Sequence, residues 1–341
     1  MAVFLSIILM LYICCFGKKN NNRDYQTHLL GYYLFFIYLI LLTICRYNVG
    51  YDYHTYYGYL IKENPWAEKY FEPIPRLLLI FCRKHNTPFL FFFSINVTII
   101  CLVFHSIFEN SKNKFESILI FITLFYLDSL SIIRQWLAIA IILYGFKFIK
   151  NKLFFKYLIC VITATLCHSS AIVSILIYFI YNYIPVKLNL AFSILCLFFG
   201  KYIINVIFFV SFLAPYQNYF TNLFINGGTK LIYIWYIFFV FVLLIFMRSK
   251  DRKNLEKYIS IICYGLVFPA LLGPSMGLRV SVYFNVFYIF LFPLVFNKIN
   301  FNGLRYFATL PFELYYLLFL YIDSCNDRGY TKYIFYFLRG I

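Results

Sequence analysis

The sequence predicts an all-α, polytopic helical membrane protein with about twelve transmembrane spans, some of them short or re-entrant. Three observations carry this. Hydrophobic residues fill 63% of the 341 positions and charged residues only 13%, with a mean hydropathy of +0.78, a balance far from that of a soluble domain. Apolar runs alternate with breaks marked by charge, Pro or Gly. The basic residues gather on alternate breaks, as the loops of a threaded membrane protein require.

The spans run approximately over residues 2–16, 29–45, 88–107, 116–130, 135–149, 153–167, 170–184, 188–212, 231–247, 258–273, 280–296 and 306–322. The first has no basic flank ahead of it and no small-residue cleavage site behind it, so it reads as a span and not a cleaved signal peptide. Two pairs of runs meet at Arg134 and at His168. Their members are shorter than the roughly 20 residues of a full crossing, which fits helices that stop short around a water-filled cavity. The 73–87 stretch and the 188–213 run leave the count open. No internal repeat, low-complexity linker or soluble domain interrupts residues 1–341, which read as a single integral membrane domain.

Orientation follows from charge. Lys18, Lys19, Arg23, Lys112, Lys114, Lys147, Lys150, Lys152, Lys156, Lys187, Arg248, Lys250, Arg252, Lys253, Lys257, Lys298 and Arg305 share one face, more than half of the 30 Lys and Arg residues. That face is cytoplasmic, both termini lie outside, and the formal charge of +17 is topology and not nucleic-acid binding. The opposite face carries two long loops, residues 46–87 and 214–230. Both are rich in aromatic and polar side chains, which suits sugar rings as well as an interfacial belt. The ten cysteines are scattered through apolar runs without metal-ligand or redox spacing and read as packing residues.

Arg46, Asp52, Glu72, Arg76, Arg134, His168 and Arg279 all fall in outer-face breaks. An ionisable group at membrane depth costs about 2.5–3.5 kcal/mol on insertion scales, so such groups mark a substrate path or a reactive site. A cationic cluster on one face needs an anionic partner. Gly50 permits a tight turn that folds Asp52 towards Arg46, and His54 stands where a D-x-D metal site needs its second acid. Pro73 and Pro75 stiffen the approach to Glu72. Arg134 opens an apolar helix, where the positive dipole end disfavours it unless it and the free N–H groups share one anion; a structural pair with Asp128 is the plainer reading. His168 has no charged neighbour in sequence, and histidine is the residue type suited to taking a proton from a sugar hydroxyl near neutral pH. Residues 273–277 match G-x-S-x-G, a pattern with meaning only on a strand-to-helix turn.

Taken in order, Arg46, Val49-Gly50-Tyr51-Asp52 with Tyr56, Glu72-Pro73, Ile133-Arg134-Gln135, His168-Ser169-Ser170-Ala171, and Arg279 with Tyr283-Phe284 resemble the EpsG-type polymerases. These are a branch of the Wzy-like O-antigen and exopolysaccharide polymerases. The resemblance spans roughly residues 29–322, and Tyr51 departs from the small polar residue common there.

The resemblance implies a membrane glycosyltransferase in a bacterial inner membrane that joins undecaprenyl-diphosphate-linked oligosaccharide units on the periplasmic face, in lipopolysaccharide, capsule or exopolysaccharide synthesis. His168, Asp52 and Glu72 are then the catalytic candidates, with His168 favoured as base. Arg46, Arg134 and Arg279 bind diphosphate, and Gln135, Tyr56 and Tyr283 position substrate. No metal or diffusible cofactor is expected; a chain-length regulator and a flippase of the same pathway are the expected partners. The alternative is a lipid-linked-sugar flippase or transporter, which generally shows pseudo-symmetric halves.

Overall fold

The computed structural model describes residues 2–15, 22–62, 69, 71–210, 239, 253–297, 302–325, 329, 330 and 333–336. The expected 214–230 loop and 231–247 span lie outside the described residues. Among the described residues the fold is all-α apart from one two-residue strand pair. The sequence predicts one integral domain; the chain divides into two compact units, Met1–Tyr144 with Ile162–Ser169 and Phe301–Ile341, and Gly145–Val161 with Ser170–Asn300.

The first unit opens with α1 (Ala2–Cys15) and α2 (Asn22–Ile44), then β1 (Arg46–Tyr47) and α3 (Tyr53–Ile61). α4 (Pro73–Lys84) resolves the ambiguous 73–87 stretch. Its 12 residues reach about 18 Å, too short to cross a bilayer. Pro75, Leu79 and Cys82 face inward while Leu77, Ile80 and Phe81 stay exposed. α5 (Pro88–Asn110) begins on a proline, whose missing N–H costs nothing in a first turn. α6 (Lys114–Phe121), a π-helical turn (Ile122–Tyr126) and α7 (Leu127–Ser131) run on as one apolar stretch. α8 (Ile133–Lys150) and α9 (Phe154–Cys167) follow, each contributing one end to this unit.

The last described helix, α14 (Asn302–Cys325), also belongs to this unit. It is followed by β2 (Ile334–Phe335), which pairs antiparallel with β1, Arg46 opposite Phe335. Gly50 makes the turn after β1 with φ 105°. A Cβ there would lie 2.6 Å from the Leu130 carbonyl oxygen, so only glycine fits both the backbone angle and the space. Its N–H donates to Gly329 O at 2.9 Å. Phe4, near the start of α1, meets the rings of Tyr330 and Tyr333 edge-on. The 46–53 loop, the tail and the start of α1 therefore share one end of the unit.

The second unit holds the 3-10 turn Ser169–Ser174 from its second residue onward, α10 (Ile175–Asn182) and α11 (Val186–Val210), a single helix over the stretch that hydropathy leaves ambiguous. α12 (Lys253–Asn285) is kinked at Gly273 (φ 76°, ψ 172°), and α13 (Tyr288–Phe296) ends the unit's described part. Gly200 brings α11 against α12: a Cβ there would meet Ala270 O at 2.6 Å. Phe146 anchors the core, stacked on Phe290 at 5.7 Å and edge-on to Phe287 at 5.0 Å. The G-x-S-x-G stretch lies on the helix-to-helix kink of α12 with no strand before it, so it is not a nucleophile elbow.

The described residues contain two helices long and apolar enough to cross a membrane, Pro88–Asn110 and Leu255–Gly273. The pair Met276–Asn285 and Tyr288–Phe296, bent by 50°, makes a third if it is one span. Five shorter apolar helices accompany them: Ala2–Cys15, Leu29–Ile44, Phe154–Cys167, Ser169–Asn182 and Val186–Gly200. Twelve full crossings are not among the described residues, where the breaks at Ile132 and His168 separate apolar helices shorter than a full span.

Topology yields a direct prediction. Lys62 is exposed at the end of α3. In a cysteine-free background, Lys62→Cys should react with an impermeant thiol reagent applied outside, whereas Lys250→Cys should be protected until the membrane is opened. The reverse pattern would invert the orientation.

Candidate active site of the first unit

Glu72 precedes a proline, and the clash with the proline ring confines it to extended backbone (φ −63°, ψ 156°). It stands at the N-cap of α4, yet its side chain makes no cap hydrogen bond. The carboxylate turns instead to three donors from two other breaks in the chain. Arg134 Nη1 donates to Oε2 at 2.5 Å. His168 Nδ1 lies 2.9 Å from Oε1, and the Ser169 backbone N–H donates to that same oxygen at 3.1 Å.

Each donor is placed by a helix end. His168 completes the last turn of α9, its N–H donating to Ala164 O at 2.9 Å, and the chain then tightens into the 3-10 turn. The first N–H of that turn is without a helical partner and takes Glu72. Arg134 is the second residue of α8, just after the break at Ile132. Its Nε donates to the Tyr56 hydroxyl at 3.1 Å, and its guanidinium lies 4.0 Å from the centre of the Phe71 ring. The carboxylate answers the electrostatic misfit of an arginine at a helix start, and it comes from Glu72 and not from Asp128.

Burial pushes the Glu72 carboxyl up, but the His168 hydrogen bond, the Arg134 charge and the Ser169 N–H outweigh it and hold the group down at about 2. It is an anion at neutral pH and only accepts hydrogen bonds. His168 Nδ1 must therefore be the donor, and in the neutral imidazole this leaves Nε2 with its lone pair. Among the described residues neither His168 Nε2 nor Arg134 Nη2 has a partner. The two side chains keep 22% and 19% of their surface exposed. No three His, Cys, Asp or Glu side chains among the described residues converge as a metal-ligand set.

Four of the residues singled out in sequence thus meet: Tyr56, Glu72, Arg134 and His168. Arg46 is 2% exposed and donates to Val49 O at 2.9 Å, Leu130 O at 2.6 Å and Asn96 Oδ1 at 3.5 Å. Its Nη atoms donate to oxygens of the protein, so in this arrangement it holds a loop and is almost without exposed surface. Asp52 is half-buried at the N-cap of α3, and Gln135 is buried in the first turn of α8. Arg279 and Tyr283 belong to the second unit, where Arg279 is exposed and the buried Tyr283 hydroxyl lies 3.2 Å from Ser170 Oγ.

Sequence reasoning missed Phe71, which stacks under Arg134, and the buried pair Asp323 and Tyr330. An aromatic beside the Glu-Pro pair was a usable signal; an acid in the last turn of the last apolar helix was another.

The EpsG family model matches residues 29–337, which include every residue of this cluster. The chain belongs to the EpsG family. No curated protein and no solved structure matches it. EpsG is a Wzy-like, polymerase-type family, so this chain is a polysaccharide polymerase-type, multi-pass membrane protein.

Proposed function

We propose that this EpsG-family chain polymerises undecaprenyl-diphosphate-linked oligosaccharide repeat units on the periplasmic face of the bacterial inner membrane, with the Glu72–His168–Arg134 cluster as its reactive centre. The observation that supports it most is that a histidine and an arginine share one carboxylate, each with a nitrogen, Nε2 and Nη2, that has no partner among the described residues. A glycosyl transfer from a lipid diphosphate needs those two groups: a base for the acceptor hydroxyl and a cation for the departing anion.

The acceptor hydroxyl gives its proton to His168 Nε2 as its oxygen attacks the anomeric carbon of the growing chain. The bond between that carbon and the diphosphate oxygen breaks, and the lipid diphosphate leaves with the electron pair. Glu72 stabilises the imidazolium that forms, in the manner of a carboxylate orienting a catalytic histidine. Glu72 itself is a poor base, because a carboxylate with a pKa of about 2 holds a proton weakly at neutral pH. Arg134 meets the charge on the leaving group, while the proposal that Arg279, exposed on α12, binds diphosphate rests on the family resemblance alone. Gln135, Tyr56 and Tyr283 are proposed to position substrate, with Tyr56 acting through Arg134 Nε.

The glycan ladder of a deletion strain tests the reading. Loss of long chains with a single repeat still exported is the expected result. Accumulation of lipid-linked units on the cytoplasmic face would mean a flippase and overturn it.

A further inference from the structure

α7 ends one residue before α8 begins, at Ile132 (φ −87°, ψ 57°). A helix that ends inside a protein leaves its last carbonyls in need of donors. Here the donors come from far away in sequence. Leu130 O accepts Arg46 Nη1 at 2.6 Å, and Leu127 O accepts the Tyr330 hydroxyl at 2.6 Å. The same hydroxyl contacts Ser131 Oγ, which accepts the Tyr51 N–H at 3.0 Å. Two residues beyond this braced turn, Arg134 emerges.

Tyr330 reaches that turn because the tail folds back after α14. Its N–H donates to Asp323 Oδ2 at 2.9 Å, and Asp323 Oδ1 accepts the Tyr51 hydroxyl at 2.6 Å. Tyr330 is 1% exposed, with its ring edge-on to Phe4 at 6.0 Å and to Tyr51 at 5.1 Å. The β1–β2 pair extends the same clasp. A hydroxyl buried this deeply and bonded twice at one helix end constrains the direction of the chain that follows.

We propose that Tyr330 is a positioning residue for the polymerisation reaction: together with Arg46 it sets the break at Ile132 and so the direction from which Arg134 offers its guanidinium. It touches no substrate and acts through Arg134, so this inference rests on the function assigned to Arg134 above. Small displacements of a charge-stabilising group are expensive, since a misplacement of about 1 Å can cost on the order of 100-fold in rate.

Tyr330→Phe keeps the ring and its packing and removes only the hydroxyl. With purified protein and a lipid extract from the deletion strain as substrate, the variant should polymerise about tenfold more slowly, the equivalent of one lost hydrogen bond. In an Arg134→Lys background the same change should cost less than about twofold, because coupled residues are not additive. Hydrogen exchange at the amides of residues 132–136 should quicken while that of α5 stays unchanged. Equal losses in both backgrounds, no loss in the wild-type background, or unchanged exchange would overturn the proposal. If the wild-type protein itself adds no repeat units, the function reading fails, and the exchange measurement still decides whether Tyr330 sets the break.

Discussion

Replacing His168 with alanine is expected to lower chain growth by roughly 100- to 10,000-fold, the range that general-base catalysis contributes. Binding of the lipid-linked substrate should change little, because the guanidinium of Arg134 stays in place on Glu72 at 2.5 Å. His168→Gln separates chemistry from position. Its amide can donate to Glu72 as Nδ1 does, yet cannot accept a proton at neutral pH. A Gln variant as slow as the Ala variant makes Nε2 the base. A Gln variant with wild-type turnover would reduce His168 to an orienting group and move the base to Asp52, since Glu72 is held at too low a pKa for that work. An Ala variant of full activity would make the histidine a packing residue.

Much of this cluster is legible in the amino-acid sequence. Glu72 before Pro73, Arg134 at a helix start and His168 between two short apolar runs are each anomalies of local chemistry, and each anomaly is resolved by the other two. What the sequence does not show is which anomalies meet. Arg46 looks as costly as Arg134 when read along the chain, but its partners are the carbonyls of Val49 and Leu130, and a carbonyl has no residue type to read. Arg279 and Tyr283 sit in the right order along the sequence and in the other compact unit. The twelve-span expectation is met in part among the described residues, because hydropathy registers apolar length and not the π-helical turn at 122–126 or the break at Ile132. Tyr330 is invisible in sequence because a tyrosine in an aromatic-rich tail carries no local signal of a buried, doubly bonded hydroxyl.

Arg134→Lys is expected to cost about 100-fold or more in polymerisation, the scale of losing one charge-stabilising donor, with normal amounts of folded protein. The charge is kept, so a simple electrostatic role would predict little change. The geometry predicts otherwise. One guanidinium donates through Nε to Tyr56 and through Nη1 to Glu72, and it lies over Phe71 with Nη2 left for the substrate. An ammonium is a point charge and cannot reproduce that fork. Glu72→Gln supplies the complementary measurement, because it leaves Arg134 and His168 without their shared anion. The folded carboxyl sits at about 2 against an ordinary 4.5, so its contribution to stability is complete above about pH 4.5 and is lost as pH falls towards 2. Thermal unfolding in detergent should therefore show wild type well above Glu72→Gln near neutral pH, with the gap closing between about pH 4.5 and 2. A gap that stays constant through this acid window would mean that Glu72 is not held as an anion by Arg134 and His168. A Lys variant at full activity would leave Arg134 with no part in leaving-group stabilisation beyond its charge.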